Sequence, residues 1–217
     1  MRSFGAGDLL ILLLALRWTV LLSLVAFVGG GVGGVVIALA RVARLRWIRV
    51  LAAGYIKLLQ GLPLLIMLFL VFFGLSIVGL SVSAWTAAAV SFTLYGSAFL
   101  AEIWRGCLQS VPQGQWDAAA ALGLRRMPQL RLVIAPQAMR IAIAPSVGFL
   151  VQLLKSTSLA SVVGFTELTQ AAQMVNNATF QPLAVFGCTA CLYFLLCFPL
   201  SLLSSRLERR FRVASRF

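Results

Sequence analysis

Residues 58–101 run for 44 positions without a charged side chain, and residues 18–40 make a second charge-free run of 23. An α-helix rises about 1.5 Å per residue, so about 20 apolar residues cross the roughly 30 Å hydrocarbon core of a bilayer. The shorter run suffices for one crossing. The longer suffices for two, with Gly79-Leu80-Ser81 as the turn between them. Residues 183–203 supply another crossing. Arg140 and Lys155 enclose only 14 uncharged residues, but 156–165 prolong that stretch if Lys155 snorkels or lines a wet interior. The expected fold is all-α: one transmembrane domain over 1–217, a polytopic bundle of five helices near 18–40, 59–78, 82–101, 141–163 and 183–203.

Composition supports this reading. Hydrophobic residues make up 61% of the chain and charged ones 11%, against about 45–50% and about 25% in a soluble domain. Such a chain in water would expose large apolar patches, which soluble monomers avoid. The net charge of +13 does not point to nucleic acid, because the basic residues lie between the apolar runs. Arg41, Arg44, Arg46, Arg49 and Lys57 follow the first run. Arg105, Arg125, Arg126, Arg131 and Arg140 follow the third, and Arg206, Arg209, Arg210, Arg212 and Arg216 occupy the tail. These are 15 of the 18 basic residues. The positive-inside rule places them in the cytoplasm, with the N-terminus outside and the C-terminus inside.

The chain contains no histidine, so histidine-based catalysis and histidine metal sites are excluded. Cys188 and Cys191 form a C-x-x-C within an apolar run; with Cys107 and Cys197 they read as small buried hydrophobes, and no metal site is expected. Arg2 and the apolar residues 9–16 have the start of a secretory signal. Arg17 and Trp18 stand where small cleavage-site residues belong, so the segment is expected to be retained, at the interface or as an extension of the first span. Gly30 and Gly34 form a G-x-x-x-G, a face for close helix packing against this bundle or against a second chain.

Two segments between spans are long enough to act. In the cytoplasmic one, 102–139, Asp117 reads as an acidic helix start and the alanines 118–121 as strong helix formers. Gly123 reads as a helix end, Pro128 as the opening of a second helix and Pro136 as a further interruption. The alternative is an alanine-rich connecting loop. In the external segment, 164–182, Thr166 is the expected N-cap and Glu167 a first-turn acid.

The spacing Asp117-Ala118-Ala119, Gly123, Val133, Ala135-Pro136 resembles the EAA loop of ABC-importer permeases, with Asp for Glu, Val for Ile and Ala for Leu. Residues 60–65 (QGLPLL) resemble the R-G-T-P-L-L that opens span two in the polar amino-acid branch, with Gln60 and Leu62 departing from it. Residues 101–106 (AEIWRG), 111–116 (VPQGQW) and 155–162 (KSTSLASV) resemble that branch's A-E-x-x-R-G, V-P-x-G-Q-W and K-S-T-S-L-x-S-V. The resemblance implies a non-catalytic transport subunit in a bacterial inner membrane. It implies a second permease chain, identical or not, a pair of ATP-binding subunits and a periplasmic or surface-anchored solute-binding protein. Asp117, Ala118, Ala119, Gly123 and Pro136 are the expected coupling residues.

No cofactor is expected in this chain. A P-loop needs glycines before Gly-Lys-Ser/Thr, and the one Lys-Ser, at Lys155-Ser156, follows Leu154 in an apolar run. Ionisable groups within spans are costly and functional by default, which makes Glu102, Lys155 and Glu167 the candidate substrate-binding residues. Glu102 also stands three residues before Arg105 as an ion-pair partner, and Glu167 also suits a helix cap. A secondary transporter, which commonly carries two similar halves, fits less well, since the chain shows no such halves.

Overall fold

The structure is a computed structural model that describes residues 3–43 and 45–214, with side chains up to 210. Arg2, Arg44 and Arg216, and the side chain of Arg212, all part of the charge pattern above, lie outside that description. The described residues form helices and turns only. Helix α1 (Ala6–Arg41) starts where Gly5 N–H donates to Asp8 Oδ2 at 3.1 Å and Asp8 N–H returns a bond to the Gly5 carbonyl. It takes in residues 9–16, which are continuous with the helix of the first span and carry it to about 54 Å. Most of its buried positions, among them Leu12, Ala15, Thr19, Leu22, Ala26, Gly30 and Gly34, recur every three or four residues along one stripe.

Helix α2 (Arg46–Gly61) and helix α3 (Leu64–Ile77) meet at 104°. The bend follows from Pro63: a residue before proline avoids the helical region, and Leu62 is extended at φ −98°, ψ 134°. The expected helix near 59–78 is therefore broken near its start. Among the described residues, counting the bent pair as one span, five apolar helices are long enough to cross a membrane; without it there are four. Gly79, at φ 86°, turns the chain, with Leu80 N–H closing on the Leu75 carbonyl at 2.9 Å. Helix α4 (Ala84–Gln109) begins under the Ser83 side chain, which accepts from Thr86 N–H at 3.1 Å.

A short helix, α5 (Gln113–Ala121), precedes the long α6 (Arg126–Val163). Pro136 does not interrupt α6, contrary to expectation. Proline cannot donate to the fourth carbonyl before it, and the helix absorbs the loss by widening to a π-helical turn over Gln129–Ile134. The Gln137 side chain then donates to the Val133 carbonyl at 2.9 Å. The last turns of α6, Thr157–Val163, tighten to 3-10 geometry and end at Gly164, φ 80°. Helices α7 (Leu168–Thr179) and α8 (Pro182–Ala214) complete the chain.

The main core gathers Leu22 and Ala26 of α1, Leu68 of α3, Phe92 and Leu100 of α4, and Phe149 and Leu153 of α6. Tyr95, Phe99 and Phe149 stack across α4 and α6 at 4.3–6.2 Å between ring centroids. A second core, at the start of α1, packs Leu12 and Ala15 against Leu168, Ala171, Ala172 and Val175 of α7 and Val185 of α8.

Candidate functional site

The segment between α4 and α6 is built as a rigid outrigger. Ala119 of α5 is buried, and a small core of Val111, Ile134 and Ala138, with Leu108, Trp116, Leu130, Val133 and Ile141 around it, joins α5 to α4 and α6. Gln137 Nε2 donates to Gln115 Oε1 at 3.1 Å across the same joint. Helix α5 ends in a Schellman motif: Gly123 N–H bonds to the Ala120 carbonyl at 2.9 Å and Leu124 N–H to the Ala119 carbonyl at 3.3 Å. Gly123 takes φ 74°, a region that favours glycine.

The expected coupling residues divide by exposure. Asp117, Ala118 and Gly123 are exposed, Pro136 is half-buried within α6, and Ala119 anchors α5 from its buried side. Asp117 is not at the helix start; it lies in the second turn, where Gln113 Nε2 donates to its Oδ1 at 3.1 Å. Leu122 and Met127 flank the turn with large apolar side chains, 79% and 64% exposed. Arg125 and Arg126 stand beside them, also exposed. Exposed Leu122 and Met127 beside paired charges make a surface suited to a protein partner.

The three candidate substrate residues do not converge: among the described residues they form no hydrogen bond or ion pair with one another. Glu102, half-buried on α4, pairs with Arg105 through both carboxylate oxygens, and Arg105 also donates to Gln109 Oε1 at 2.7 Å. Lys155 is exposed on α6. The hydroxyls that follow it are consumed by the tightened helix: Ser156, Thr157, Ser158 and Ser161 each donate to a carbonyl three or four residues back, at 2.6–3.0 Å. The serine-rich motif thus shapes the backbone after Lys155, while the ammonium remains available.

Glu167 is fully buried and is itself the N-cap of α7, where Thr166 was expected. Its carboxylate accepts from Thr169 N–H and Gln170 N–H at 2.9 Å each, from Tyr193 Oη at 2.9 Å and from Thr19 Oγ1 at 3.5 Å. Thr19 in turn accepts from Leu168 N–H at 3.1 Å, and Thr169 and Tyr193 hydroxyls meet at 3.0 Å. One carboxylate thereby ties α1, α7 and α8 together. Burial pushes the Glu167 carboxyl above the usual carboxylate range, opposed by these hydrogen bonds. Thr19 and Tyr193 escaped sequence reasoning; polar side chains inside otherwise apolar spans were the available signal.

A multi-pass helical bundle with a rigid exposed helix between two of its spans defines a membrane-embedded transport subunit. Residues 30–213 match the family described as binding-protein-dependent transport system inner membrane component, and the chain belongs to that family. It is similar to the probable amino-acid ABC transporter permease protein YckA of Bacillus subtilis (strain 168), 37% identical over 194 residues, covering 89% of this chain and 86% of the relative. It is also similar to the L-cystine transport system permease protein TcyB of the same organism, 34% identical over 89% of this chain and 83% of that one. Among solved structures it resembles the crystal structure of an amino acid ABC transporter with histidines, at TM-score 0.89 and 32% identity, covering 92% and 94% of the two chains. The inward-facing MetNI methionine ABC transporter shares the fold, at TM-score 0.76 and 21% identity over 96% and 99%.

Proposed function

We propose that this chain, paired with a second permease chain, forms the translocation path of an ATP-driven importer of polar amino acids in a bacterial inner membrane. The substrate class is supported by the K-S-T-S-L motif at residues 155–159 and by relatives named for amino-acid transport. The charge pattern supports an orientation with α5 in the cytoplasm. ATP is bound and hydrolysed by partner subunits, and a solute-binding protein delivers substrate to the opposite face.

One observation carries the coupling mechanism: α5 is locked by its own small core to both α4 and α6. Force applied by a nucleotide-binding partner at Asp117, Ala118, Leu122 and Gly123 therefore moves two spanning helices as a body, the kind of rigid transition that alternates access. Ala119 and Pro136 serve from behind, one holding α5 down and the other setting the π turn beneath it. Among the three ionisable candidates, Lys155 is the one that is exposed and makes no hydrogen bond or ion pair with a described residue, which suits it to meet a substrate carboxylate. Glu102 and Glu167 act beside the path, holding α4 and the α1–α7–α8 junction.

Reconstitution of the complete complex in proteoliposomes tests this reading. Asp117→Arg should sharply reduce ATP-driven uptake while the protein still inserts and purifies normally. Unimpaired uptake by this variant, or full uptake on an ion gradient without ATP, would overturn it.

A further inference from the structure

Helix α6 is held between two neighbours. Phe149 stacks on Tyr95 and Phe99 of α4, while Val151 and Leu154 cluster with Cys197 of α8. At about 3.6 residues per turn, two uncovered sides remain between those contacts. One carries Met139 and Ile143, exposed and apolar, as a surface turned to lipid should be. The other carries Pro145, Gly148, Gln152 and Lys155, all exposed and three or four residues apart, so they share one face. Polar and ionisable groups inside a span turn to the bundle interior or to a water-filled cavity, not to lipid. The second face therefore borders the path.

Gln152 stands at the middle of this face. Its Nε2 donates to Tyr95 Oη at 3.5 Å, a long contact, and neither side chain makes another hydrogen bond among the described residues. The Tyr95 ring is fixed by Phe99 and Phe149, at 4.3 and 6.2 Å between centroids. Lys155, three residues on, acts electrostatically on the Cys197 thiol of α8. Side chains at this spacing start about 5–6 Å apart, a separation that one amino acid bridges from its carboxylate to a polar side-chain end. The acidic residues are all placed elsewhere. Asp8 is buried at the start of α1, Asp117 lies on α5, Glu102 pairs with Arg105, and Glu167 caps α7. Glu208 lies about 16 Å along α8 from Cys197. A cationic side chain here would meet the Lys155 ammonium with no described carboxylate to balance it. We propose that Gln152 determines specificity in the path. Its carboxamide and the Tyr95 hydroxyl take the uncharged polar side chain of an amino acid whose carboxylate rests on Lys155, and basic amino acids are rejected.

The permease–ATPase complex in nanodiscs, without the solute-binding protein, can be titrated with radiolabelled glutamine, leucine and arginine. Wild type should bind glutamine about tenfold more tightly than leucine or arginine. Gln152→Leu should lose about tenfold for glutamine and change leucine by less than about twofold. Gln152→Glu, whose carboxylate offsets the Lys155 charge, should bind arginine about fivefold more tightly than wild type, a gain that misfolding does not produce. Wild type that binds none of the three, or that binds arginine as tightly as glutamine, overturns the proposal. So does an unchanged glutamine affinity in Gln152→Leu or an unchanged arginine affinity in Gln152→Glu. ATP-driven uptake by the same complex reports separately on the importer reading, on which this assignment rests. Intact uptake beside any of those results leaves that reading standing and removes the role of Gln152 alone.

Discussion

Gly30 of α1 lies on the backbone of Gly96 in α4: a Cβ added to Gly30 would stand 2.9 Å from the Gly96 carbonyl carbon and 3.1 Å from the Ser97 nitrogen. One turn on, a Cβ at Gly34 would meet the Ala101 nitrogen at 3.2 Å. At Gly30 the nearest atoms are all main chain, so that contact has no side chain to yield. This places the G-x-x-x-G face against the chain's own bundle.

Gly30→Val should therefore force α1 and α4 apart and cost about 1–3 kcal/mol, visible as a lower unfolding temperature of the detergent-solubilised protein. Gly54→Ala is the control, since nothing stands within 4 Å of its added Cβ. It should be neutral or stabilising, by up to about 1 kcal/mol. Equal effects of the two substitutions would remove the packing argument.

Gly123→Ala places a Cβ where φ is 74°, at a cost of about 1–2 kcal/mol. The loss should fall on the α5 turn rather than the whole bundle. Uptake should drop while the global unfolding temperature stays nearly constant, and hydrogen exchange at Gly123 and Leu124 should accelerate. Unchanged exchange there would count against a tightly capped outrigger.

Glu167 gives a pH signature. Its folded carboxyl holds a proton more tightly than the unfolded one because burial disfavours the charge. Its contribution is therefore fully present below the ordinary carboxylate range and is lost as pH rises through the elevated folded value. Wild type should lose stability across that interval, between the ordinary and the raised value, more than Glu167→Gln does. Parallel pH profiles for the two proteins would contradict the assignment.

Lys155→Gln should leave the stability almost unchanged, within about 0.5 kcal/mol, because the side chain is exposed and makes no hydrogen bond or ion pair with a described residue. Its effect should appear in transport, as a raised KM for uptake by the reconstituted complex. Tyr193→Phe should do the reverse. It removes a bond to the buried Glu167 carboxylate, costs about 1.5–3 kcal/mol and acts first on stability. A stability loss in Lys155→Gln matching that of Tyr193→Phe would show that Lys155 is structural.

Much of the bundle was legible because lipid imposes a strong rule: a spanning segment must be apolar and satisfy its own backbone, so runs without charge report helices directly. Local chemistry was legible too, as at Gly123, where the turn demands a positive φ, and in the pairing of Glu102 with Arg105 at i,i+3. The break at Leu62-Pro63 and the continuity of α6 through Pro136 were not. Both sites contain proline, yet one bends the chain by 104° and the other is absorbed by a π turn. The local rule that a residue before proline avoids the helix applies at both sites; which of the two bends is decided by how the surrounding helices pack.

The sequence by itself determined membrane embedding, the helical class and the family motifs, because each depends on composition or on spacing along the chain. Only the tertiary structure decided what those motifs touch. Glu167 became the junction of α1, α7 and α8 because Thr19 and Tyr193, 148 and 26 residues away, arrive at its oxygens. Gly30 met Gly96 for the same reason: contacts between distant residues are set by the global packing minimum, and burial of the whole bundle selects it.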